Sequence, residues 1–221
     1  MSKDVADFVA EKLGHQAKDV ALFEAAVTHS SSRSANYERL EFLGDRVLGL
    51  VVARWLYERF PNEPEGQLSQ RFNTLVDRPT CGEVGRELGL PAVIRLSKQA
   101  VGDGARQSDN VLGDVVEALI GALYLEAGLE PAQALIRRLW KPLIEEQRRA
   151  PKHPKAALQE LAAARELPNP AYEIVSQSGT DHAPLFTVRV AIDSLGEAQG
   201  QGSSKQVAET KAAIALLEKL A

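Results

Sequence analysis

The sequence predicts an α+β protein in two parts, an all-α part followed by a small α-β-β-β-α part. Up to about residue 147, apolar residues recur every three or four positions, as they do in amphipathic helices. Beyond a basic segment with two prolines the period changes, and short alternating runs typical of strands lie between two helical patterns. The expected boundaries are 1–147 for the helical domain, 148–154 for a linker and 155–221 for the second domain.

The helical part is clearest in two long segments, residues 42–57 and 111–129, where the apolar positions form one face of a helix. No alternating run of strand length stands out before residue 147. Residues 147–154 combine two prolines with four basic side chains, counting His153, and this composition favours an extended, solvated linker.

The second part begins with a predicted helix over residues 155–165, which stops before two closely spaced prolines. Residues 172–175 and 185–192 alternate as strands do, and residues 196–202 supply a third strand with its turns. A strongly amphipathic helix is predicted over residues 205–221. The order of elements is therefore helix, three antiparallel strands and helix.

Composition excludes several functional classes. The 221-residue chain carries 26 basic and 30 acidic residues, a net charge of −4, so any nucleic-acid site must be local or assisted by metal ions. Cys81 is the single cysteine, which excludes an intramolecular disulfide and favours a reducing, cytoplasmic location. The polar beginning does not resemble a signal peptide, and no apolar run approaches the roughly 20 residues of a membrane span. Neither a membrane partner nor an organic cofactor is expected.

Acidic residues occur where helix packing should disfavour them. Glu38, Glu41 and Asp45 fall within an arc of about 60° on one helix, beside apolar neighbours. Like charges on one stripe repel by roughly 0.2–0.5 kcal/mol per neighbouring pair even when exposed, and partial burial adds to this cost. A bound cation would remove the penalty.

A second acidic pair, Asp114 and Glu117, lies in the otherwise apolar helix over residues 111–129. Gly113, Ala118 and Gly121 lie beside it and permit close approach of another helix, whose axis would lie about 8–10 Å away. Carboxylates converging across that distance suit hard cations, Mg²⁺ first and Mn²⁺ as a substitute. Such ions can activate water and stabilise charge on a phosphodiester. The alternative is that these acids are ordinary surface charges of the helices.

At this point the sequence resembles bacterial ribonuclease III. The octad Glu-Arg-Leu-Glu-Phe-Leu-Gly-Asp at residues 38–45 matches the signature of that family without a mismatch. The resemblance covers nearly the whole chain, and its last part is similar to a double-stranded-RNA-binding domain. The other segments that carry it are residues 28–30, 65–66, 114–121 and 200–205.

The resemblance implies a set of site residues. Metal-binding carboxylates are expected at Glu41, Asp45, Asp114 and Glu117. Of these, Asp45 and Glu117 are expected to be most directly catalytic, and Glu38 and Glu65 to be supporting acids. The implied mechanism is hydrolysis in which Mg²⁺ activates water for in-line attack on phosphorus with departure of the 3′ oxygen, and a second ion can stabilise the leaving group.

The resemblance also implies an assembly and a substrate. The nuclease domain is expected to form a homodimer whose two sites cut opposite strands of double-stranded RNA, leaving 5′-phosphate and 3′-hydroxyl ends with a short 3′ overhang. Phe42 and Leu43 belong either to this dimer interface or to the core. Precursors of ribosomal RNA, and messenger and transfer RNA, are the expected substrates.

RNA recognition is expected from the shape of the duplex, because the A-form minor groove is wide and displays 2′-hydroxyls. By the resemblance, Gln159 and Glu160 would face one minor groove and His182 the next. A helix N-terminus would be placed against the phosphates between them. Its residues are Ser203, Ser204 and Lys205.

The sequence departs from the family pattern in two places. Tyr37 occupies a position that is often Asn, so we expect altered packing or substrate contact there without loss of activity. Basic residues are sparse after Lys205, and the segment from Lys155 onward has 6 basic and 8 acidic residues. This predicts weak RNA binding by the second domain alone.

Two other functions remain open from the residues. One is a catalytically inactive double-stranded-RNA-binding protein, which intact carboxylates disfavour. The other is a metal-dependent phosphohydrolase of small nucleotides, which the RNA-binding tail disfavours. Thr28, His29 and Ser30 resemble components of a nucleophilic site, but no acid lies at a telling spacing, so a structural hydrogen-bonding role is expected.

Overall fold

The chain folds into two compact units, Met1–Pro151 and Lys152–Ala221, called here the helical unit and the C-terminal unit. The computed structural model describes residues 5–32, 35–147, 154–180 and 183–220. Each unit has its own core of buried apolar side chains. No helix in the described residues is long and apolar enough to cross a membrane. The predicted α+β class, helical first and mixed second, is confirmed.

The helical unit contains eight α-helices within its described residues. A π-helical turn, Val9–Leu13, extends the first helix, and two short 3₁₀ turns occupy Leu90–Ala92 and Ala105–Gln107. The α-helices are α1 (Val5–Phe8), α2 (Val20–Ala26), α3 (Glu38–Arg59), α4 (Glu65–Leu75), α5 (Arg78–Leu88), α6 (Lys98–Gly102), α7 (Asp109–Ala127) and α8 (Leu129–Glu146).

Helix α7 is the apolar centre of the helical unit, and it packs against both α3 and α5. Most of its side chains are buried, which is more than the single apolar face that the sequence predicts. The helix ends at Ala127, two residues before the predicted end. Gly128 adopts φ +84°, which breaks the helix and lets Leu129 begin α8.

Glycines bring α3 and α7 into backbone contact. An ideal Cβ placed on Gly44 of α3 would lie 1.7 Å from the carbonyl oxygen of Glu117, and one on Gly121 of α7 would lie 2.3 Å from that of Leu40. Neither position has room for a side chain. The close approach that the sequence predicts at Gly121 is therefore matched by Gly44 on the opposing helix.

The C-terminal unit has the predicted order of helix, three strands and helix. Its elements are α9 (Pro154–Ala164), β1 (Ala171–Thr180), β2 (Ala183–Ile192), β3 (Gly196–Gly202) and α10 (Lys205–Leu220). The strands form one antiparallel sheet in the order β1-β2-β3. Pro154, predicted as the last linker residue, is the first residue of α9, where the fixed φ of proline suits a helix start.

Strand β1 is longer than the predicted run of residues 172–175. Its second half is polar and lacks alternation, yet it pairs with β2 as far as Thr180. The register of β1 against β2 shifts at a β-bulge between Ile174 and Ser176. The strict alternation of side chains along β1 ends at this bulge. Backbone pairing rather than side-chain pattern therefore defines this half of the strand.

The sheet packs on α10 through small residues. An ideal Cβ on Gly200 would lie 2.2 Å from the amide nitrogen of Ala212, and one on Gly202 would lie 2.6 Å from that of Ala208. Both alanines are fully buried. The two glycines that precede the start of α10 in the motif 200–205 therefore have a packing role.

Candidate active site

Three carboxylates from two helices meet on the surface of the helical unit. Glu41 lies on α3, and Asp114 and Glu117 lie one turn apart on α7. One oxygen from each lies within 4.8 Å of one oxygen from each of the others, which is close enough to share a metal ion. All three residues are half-buried. We call these three residues the carboxylate cluster.

The cluster follows from the way α3 and α7 cross. Gly44 and Gly121 let the two backbones touch, and Glu41 and Glu117 lie within one helical turn of these glycines. Side chains one turn apart share a helix face, so the acids of both helices face each other beside the contact. The glycines thus determine the separation of the carboxylates.

Burial and mutual repulsion make the metal-free cluster unfavourable as three anions. Desolvation, followed by the charges of Asp45, Glu41 and Asp114, raises the pKa of Glu117 to about 8. Desolvation also raises the pKa of Glu41 and that of Asp114 above their ordinary values. A bound cation would favour the charged forms and offset this cost. Carboxylate oxygens without His or Cys partners suit hard divalent cations, so the residues fit such an ion.

Asp45, the remaining residue predicted to bind metal, lies beside the cluster but outside the group within 4.8 Å. Its side chain forms an ion pair with Arg46, the next residue on α3. Its charge nevertheless raises the pKa of Glu117, which shows that it acts on the same region. The spacing of the acids predicts the face of α3 on which Asp45 lies but could not reveal this pairing with the adjacent arginine.

Two further residues at the site were not anticipated as partners of these acids. The hydroxyl of Tyr37 donates a hydrogen bond of 3.1 Å to Oδ2 of Asp114. Arg78, at the start of α5, lowers the pKa of each of the three cluster carboxylates against the effect of burial. Neither contact leaves a local signal in the sequence, since each joins segments that are distant along the chain.

The predicted supporting acids, Glu38 and Glu65, are exposed and lie outside the cluster. Glu38 accepts a hydrogen bond from the amide of Asn36 at 3.1 Å. Glu65, at the start of α4, accepts a hydrogen bond from the hydroxyl of Ser69 at 2.6 Å. Within one copy of the helical unit, the structure does not bring these two acids to the three-carboxylate group.

The segment Thr28-His29-Ser30 makes structural hydrogen bonds. The hydroxyl of Thr28 donates to the carbonyl oxygen of Glu24 at 2.6 Å, and Nδ1 of His29 accepts from the backbone N–H of Ser31 at 3.0 Å. Cys81 is buried, and burial raises the pKa of its thiol well above the usual range. Thr28 and His29 therefore have the structural hydrogen bonds that the sequence predicts, and the thiol of Cys81 stays protonated.

An apolar groove lies beside the cluster, and Phe42 stands exposed at it. The side chain of Phe42 is 66% exposed, and Leu43 is half-buried against the core. The groove has a volume of about 710 Å³. It is lined by Leu22, Ala25, Asn36, Glu38, Arg39, Leu40, Phe42, Leu43 and Leu125. Phe42 is thus not a core residue of the single chain.

In the C-terminal unit, the residues predicted to bind RNA lie at the surface. Gln159 and Glu160 are exposed on α9. Ser203, Ser204 and Lys205 are exposed at the start of α10, where the hydroxyl of Ser204 caps the helix by accepting from the N–H of Val207 at 3.2 Å. His182 lies outside the described residues.

The raised pKa of Glu117 leads to a prediction about stability. Because its folded-state pKa of about 8 exceeds the ordinary 4.5, the folded protein binds more protons than the unfolded chain between these values. In the presence of a chelator, the stabilisation that protonation gives should be complete below pH 4.5 and should be lost as pH rises to about 8. Thermal unfolding at pH 5 to 8.5 checks this, with a change of about 2–4 °C expected for each kcal/mol.

The control for this prediction is the variant Glu117→Gln, which cannot titrate at that position and should show a smaller decline. The difference between the two proteins isolates the contribution of Glu117 from every other effect of pH, which the two proteins share. Added Mg²⁺ or Mn²⁺ should restore stability to the wild type at high pH. The assignment would be contradicted if, with chelator, the melting temperature of the wild type rose with pH in parallel with that of the variant.

Several known proteins similar to this chain are named as ribonucleases of one kind. Ribonuclease 3 of Zymomonas mobilis is 57% identical over 97% of this chain and 87% of its own length. Ribonuclease 3 of Dinoroseobacter shibae is 46% identical over 98% of this chain and 96% of its own length. Among solved structures, the nuclease domain of ribonuclease III from Campylobacter jejuni matches with a TM-score of 0.60 and 37% identity, covering 62% of this chain and 96% of that one.

Two family models divide the chain in the same way as the fold. A ribonuclease-III-like model matches residues 19–143, and a double-stranded RNA binding motif matches residues 154–220. A helical unit with a carboxylate cluster, followed by such a motif, defines an endoribonuclease that acts on double-stranded RNA. The chain belongs to the ribonuclease III family, whose members depend on metal ions. The resemblance noted in the sequence is confirmed.

Proposed function

We propose that this chain is a homodimeric, Mg²⁺-dependent endoribonuclease that cuts both strands of double-stranded RNA. The observation that carries the proposal is the meeting of Glu41, Asp114 and Glu117 within 4.8 Å across two apolar helices. The cuts would leave 5′-phosphate and 3′-hydroxyl ends with a short 3′ overhang. Precursors of ribosomal RNA, and messenger and transfer RNA, are the proposed substrates, and the single, buried thiol of Cys81 fits a cytoplasmic enzyme.

In the proposed site, Glu41, Asp114 and Glu117 hold the cation, and Asp45 joins them by turning away from Arg46. The chemistry that Mg²⁺ supplies in such a site is activation of water and stabilisation of charge on the phosphate. Burial and the neighbouring acids raise the pKa of Glu117 to about 8, so its proton must leave when the cation binds. The positive charge of Arg78 lowers the pKa of Glu41 and of Glu117. It thereby limits the repulsion between these carboxylates when no cation is bound.

We propose that the groove beside Phe42 receives a second copy of the chain. An exposed phenylalanine next to an apolar groove is self-complementary in a two-fold dimer, because each copy presents both the side chain and the groove. The related Campylobacter jejuni nuclease domain has a region involved in dimer formation. A dimer would place two clusters on one duplex, as cleavage of both strands requires. Glu38 and Glu65 remain proposed supporting acids for RNA or for outer contacts of the cluster.

The proposed RNA surface of the C-terminal unit joins two features. Gln159 and Glu160 on α9 would contact a minor groove, where the carboxylate can accept a hydrogen bond from a 2′-hydroxyl that DNA lacks. The N-terminus of α10, with Ser203, Ser204 and Lys205, would bind phosphates through its free N–H groups. His182 is proposed to reach a second minor groove.

The proposed domains are residues 1–147 and 155–221, joined by 148–154.

The direct test is to incubate the protein with a long RNA duplex with and without Mg²⁺, and then to size the products and map their ends. Short duplexes with 5′-phosphates and 3′ overhangs, formed only with the cation, are expected. Binding without cleavage under all metal conditions would favour the alternative of an inactive double-stranded-RNA-binding protein. DNA duplex and single-stranded RNA serve as control substrates and should remain intact.

Removal of residues 151–221 is expected to weaken duplex-RNA binding by at least about tenfold, since phosphate contacts supply most of the affinity. The dependence of affinity on salt should become less steep, because the slope reports the number of phosphates neutralised. Cleavage should therefore persist only at lower salt. Fluorescence anisotropy at several salt concentrations measures both quantities.

The control for this truncation is the cleavage rate at saturating RNA and low salt, which should stay close to that of the full chain. Such a result would show that the helical unit remains folded and active. An affinity and a salt slope equal to those of the full chain would rule out the assigned role of the C-terminal unit.

A further inference from the structure

Tyr37 connects the start of α3 to the carboxylate cluster. It is the residue immediately before α3, its side chain is only 4% exposed, and its hydroxyl donates to Oδ2 of Asp114 at 3.1 Å. Asp114 lies 77 positions further along the chain. A buried phenol that contacts one carboxylate of the cluster is in a position to control how that carboxylate is oriented.

The backbone of Tyr37 is fixed on both sides. Its N–H donates to the carbonyl oxygen of Thr28 at 3.0 Å, and its own carbonyl oxygen accepts from the N–H groups of Leu40 at 2.9 Å and Glu41 at 2.8 Å. Thr28 is itself held by the bond from its hydroxyl to the carbonyl of Glu24. The backbone from which the phenol extends is therefore held in place by hydrogen bonds.

Two neighbouring side chains fix the ring of Tyr37. The ring of His29 meets it edge to face, with centroids 5.6 Å apart and an interplanar angle of 76°. Burial raises the pKa of Tyr37, and the nearby hydroxyl of Ser30 lowers it. The segment Thr28-His29-Ser30 therefore lies next to the cluster through its contacts with Tyr37.

We propose that Tyr37 is a positioning residue for the metal ligands, whose hydroxyl holds the carboxylate of Asp114 in the orientation that lets it share a cation with Glu41 and Glu117. This inference rests on the proposed function, because it assumes that the cluster binds a cation. Hydrogen-bond partners of ligating carboxylates typically account for 10–100-fold in metal affinity. Tyr37 contacts a ligand rather than the phosphate, so it acts on cation affinity and not on the chemical step.

The proposal also accounts for the departure of this sequence from the family pattern. The Asn that the family resemblance leads one to expect here has a much shorter side chain than Tyr. From a backbone held by Thr28 and Glu41, the phenol reaches Asp114 with its hydroxyl. A phenol at position 37 is therefore a feature of how this chain orders its metal ligands.

The test is the variant Tyr37→Phe in the full-length chain, which keeps the ring and removes the hydroxyl. Binding of Mn²⁺ without RNA, measured by calorimetry or by electron paramagnetic resonance, is expected to weaken by roughly 10–100-fold. The Mg²⁺ concentration for half-maximal single-turnover cleavage should rise by a similar factor, while the rate at saturating Mg²⁺ stays close to that of the wild type. Tyr124→Phe removes the hydroxyl of a half-buried tyrosine of α7 and serves as the matched control, with unchanged Mn²⁺ affinity.

Several results would overturn the proposal. One is unchanged Mn²⁺ affinity of Tyr37→Phe, whether or not its melting temperature with chelator falls, since a drop in stability alone indicates packing. If Tyr37→Phe fails to fold, His29→Ala, which removes the ring that meets Tyr37 edge to face, is the second variant, with a few-fold loss of affinity expected and an unchanged affinity as the contrary result. A wild type that binds Mn²⁺ no better than Glu117→Gln would instead refute the proposed metal site, and this inference with it.

Discussion

Replacing Glu117 with glutamine is expected to reduce the single-turnover cleavage rate by at least about 10³-fold, which corresponds to about 4 kcal/mol of transition-state stabilisation. Burial, followed by the charges of Asp45, Glu41 and Asp114, raises the pKa of Glu117 to about 8. Glutamine has the shape of the protonated acid but cannot supply the negative charge that a cation requires. Because the protonated form already fits the fold, the variant should remain folded and should be at least as stable as the wild type in chelator.

The same variant should bind duplex RNA nearly as well as the wild type, since the proposed RNA-binding residues lie in the C-terminal unit. Anisotropy measures the binding, and quenched-flow or manual sampling with excess enzyme measures the cleavage. Glu83→Gln, an exposed acid on α5, is the matched control and should cleave at the wild-type rate. Equal cleavage rates for Glu117→Gln and wild type at saturating Mg²⁺ would remove Glu117 from the site.

The acidic residues were only partly predictable from residue spacing. The helical period placed Glu38, Glu41 and Asp45 on one stripe, and the choice of metal ligands came from the family resemblance. Glu41, Asp114 and Glu117 converge as the spacing and the small neighbouring residues predict. The position of Asp45 was not predictable in the same way. Its carboxylate pairs with the adjacent Arg46, and a pattern of spacings says on which face an acid lies but not which rotamer it adopts.

Contacts between distant segments of the chain could not be predicted from local sequence patterns either. The bond from Tyr37 to Asp114 and the influence of Arg78 on the cluster depend on the packing of α3, α5 and α7 together, which no single segment encodes. The polar half of β1 was missed because pairing with β2 holds it without an apolar face. In each case tertiary packing, rather than local preference, determines the structure.

Replacing Gly44 with alanine is expected to destabilise the helical unit by at least about 3 kcal/mol, or roughly 6 °C in melting temperature. The added Cβ would lie 1.7 Å from the carbonyl oxygen of Glu117, and this contact is with backbone, which cannot rotate away as a side chain can. The helices α3 and α7 would have to separate. Their separation also sets the distance between Glu41 and Glu117, so Mn²⁺ binding and cleavage should be lost together with stability.

Gly49→Ala is the matched control on the same helix, since its Cβ would meet only the ring of Phe72 at an ordinary 3.5 Å. It should be neutral or stabilising, because alanine favours a helix over glycine by about 1 kcal/mol. The opposite signs expected for the two substitutions separate helix propensity from the helix contact. If Gly44→Ala matched Gly49→Ala in stability and in Mn²⁺ affinity, the two helices could not be in backbone contact, and the cluster would need another explanation for its geometry.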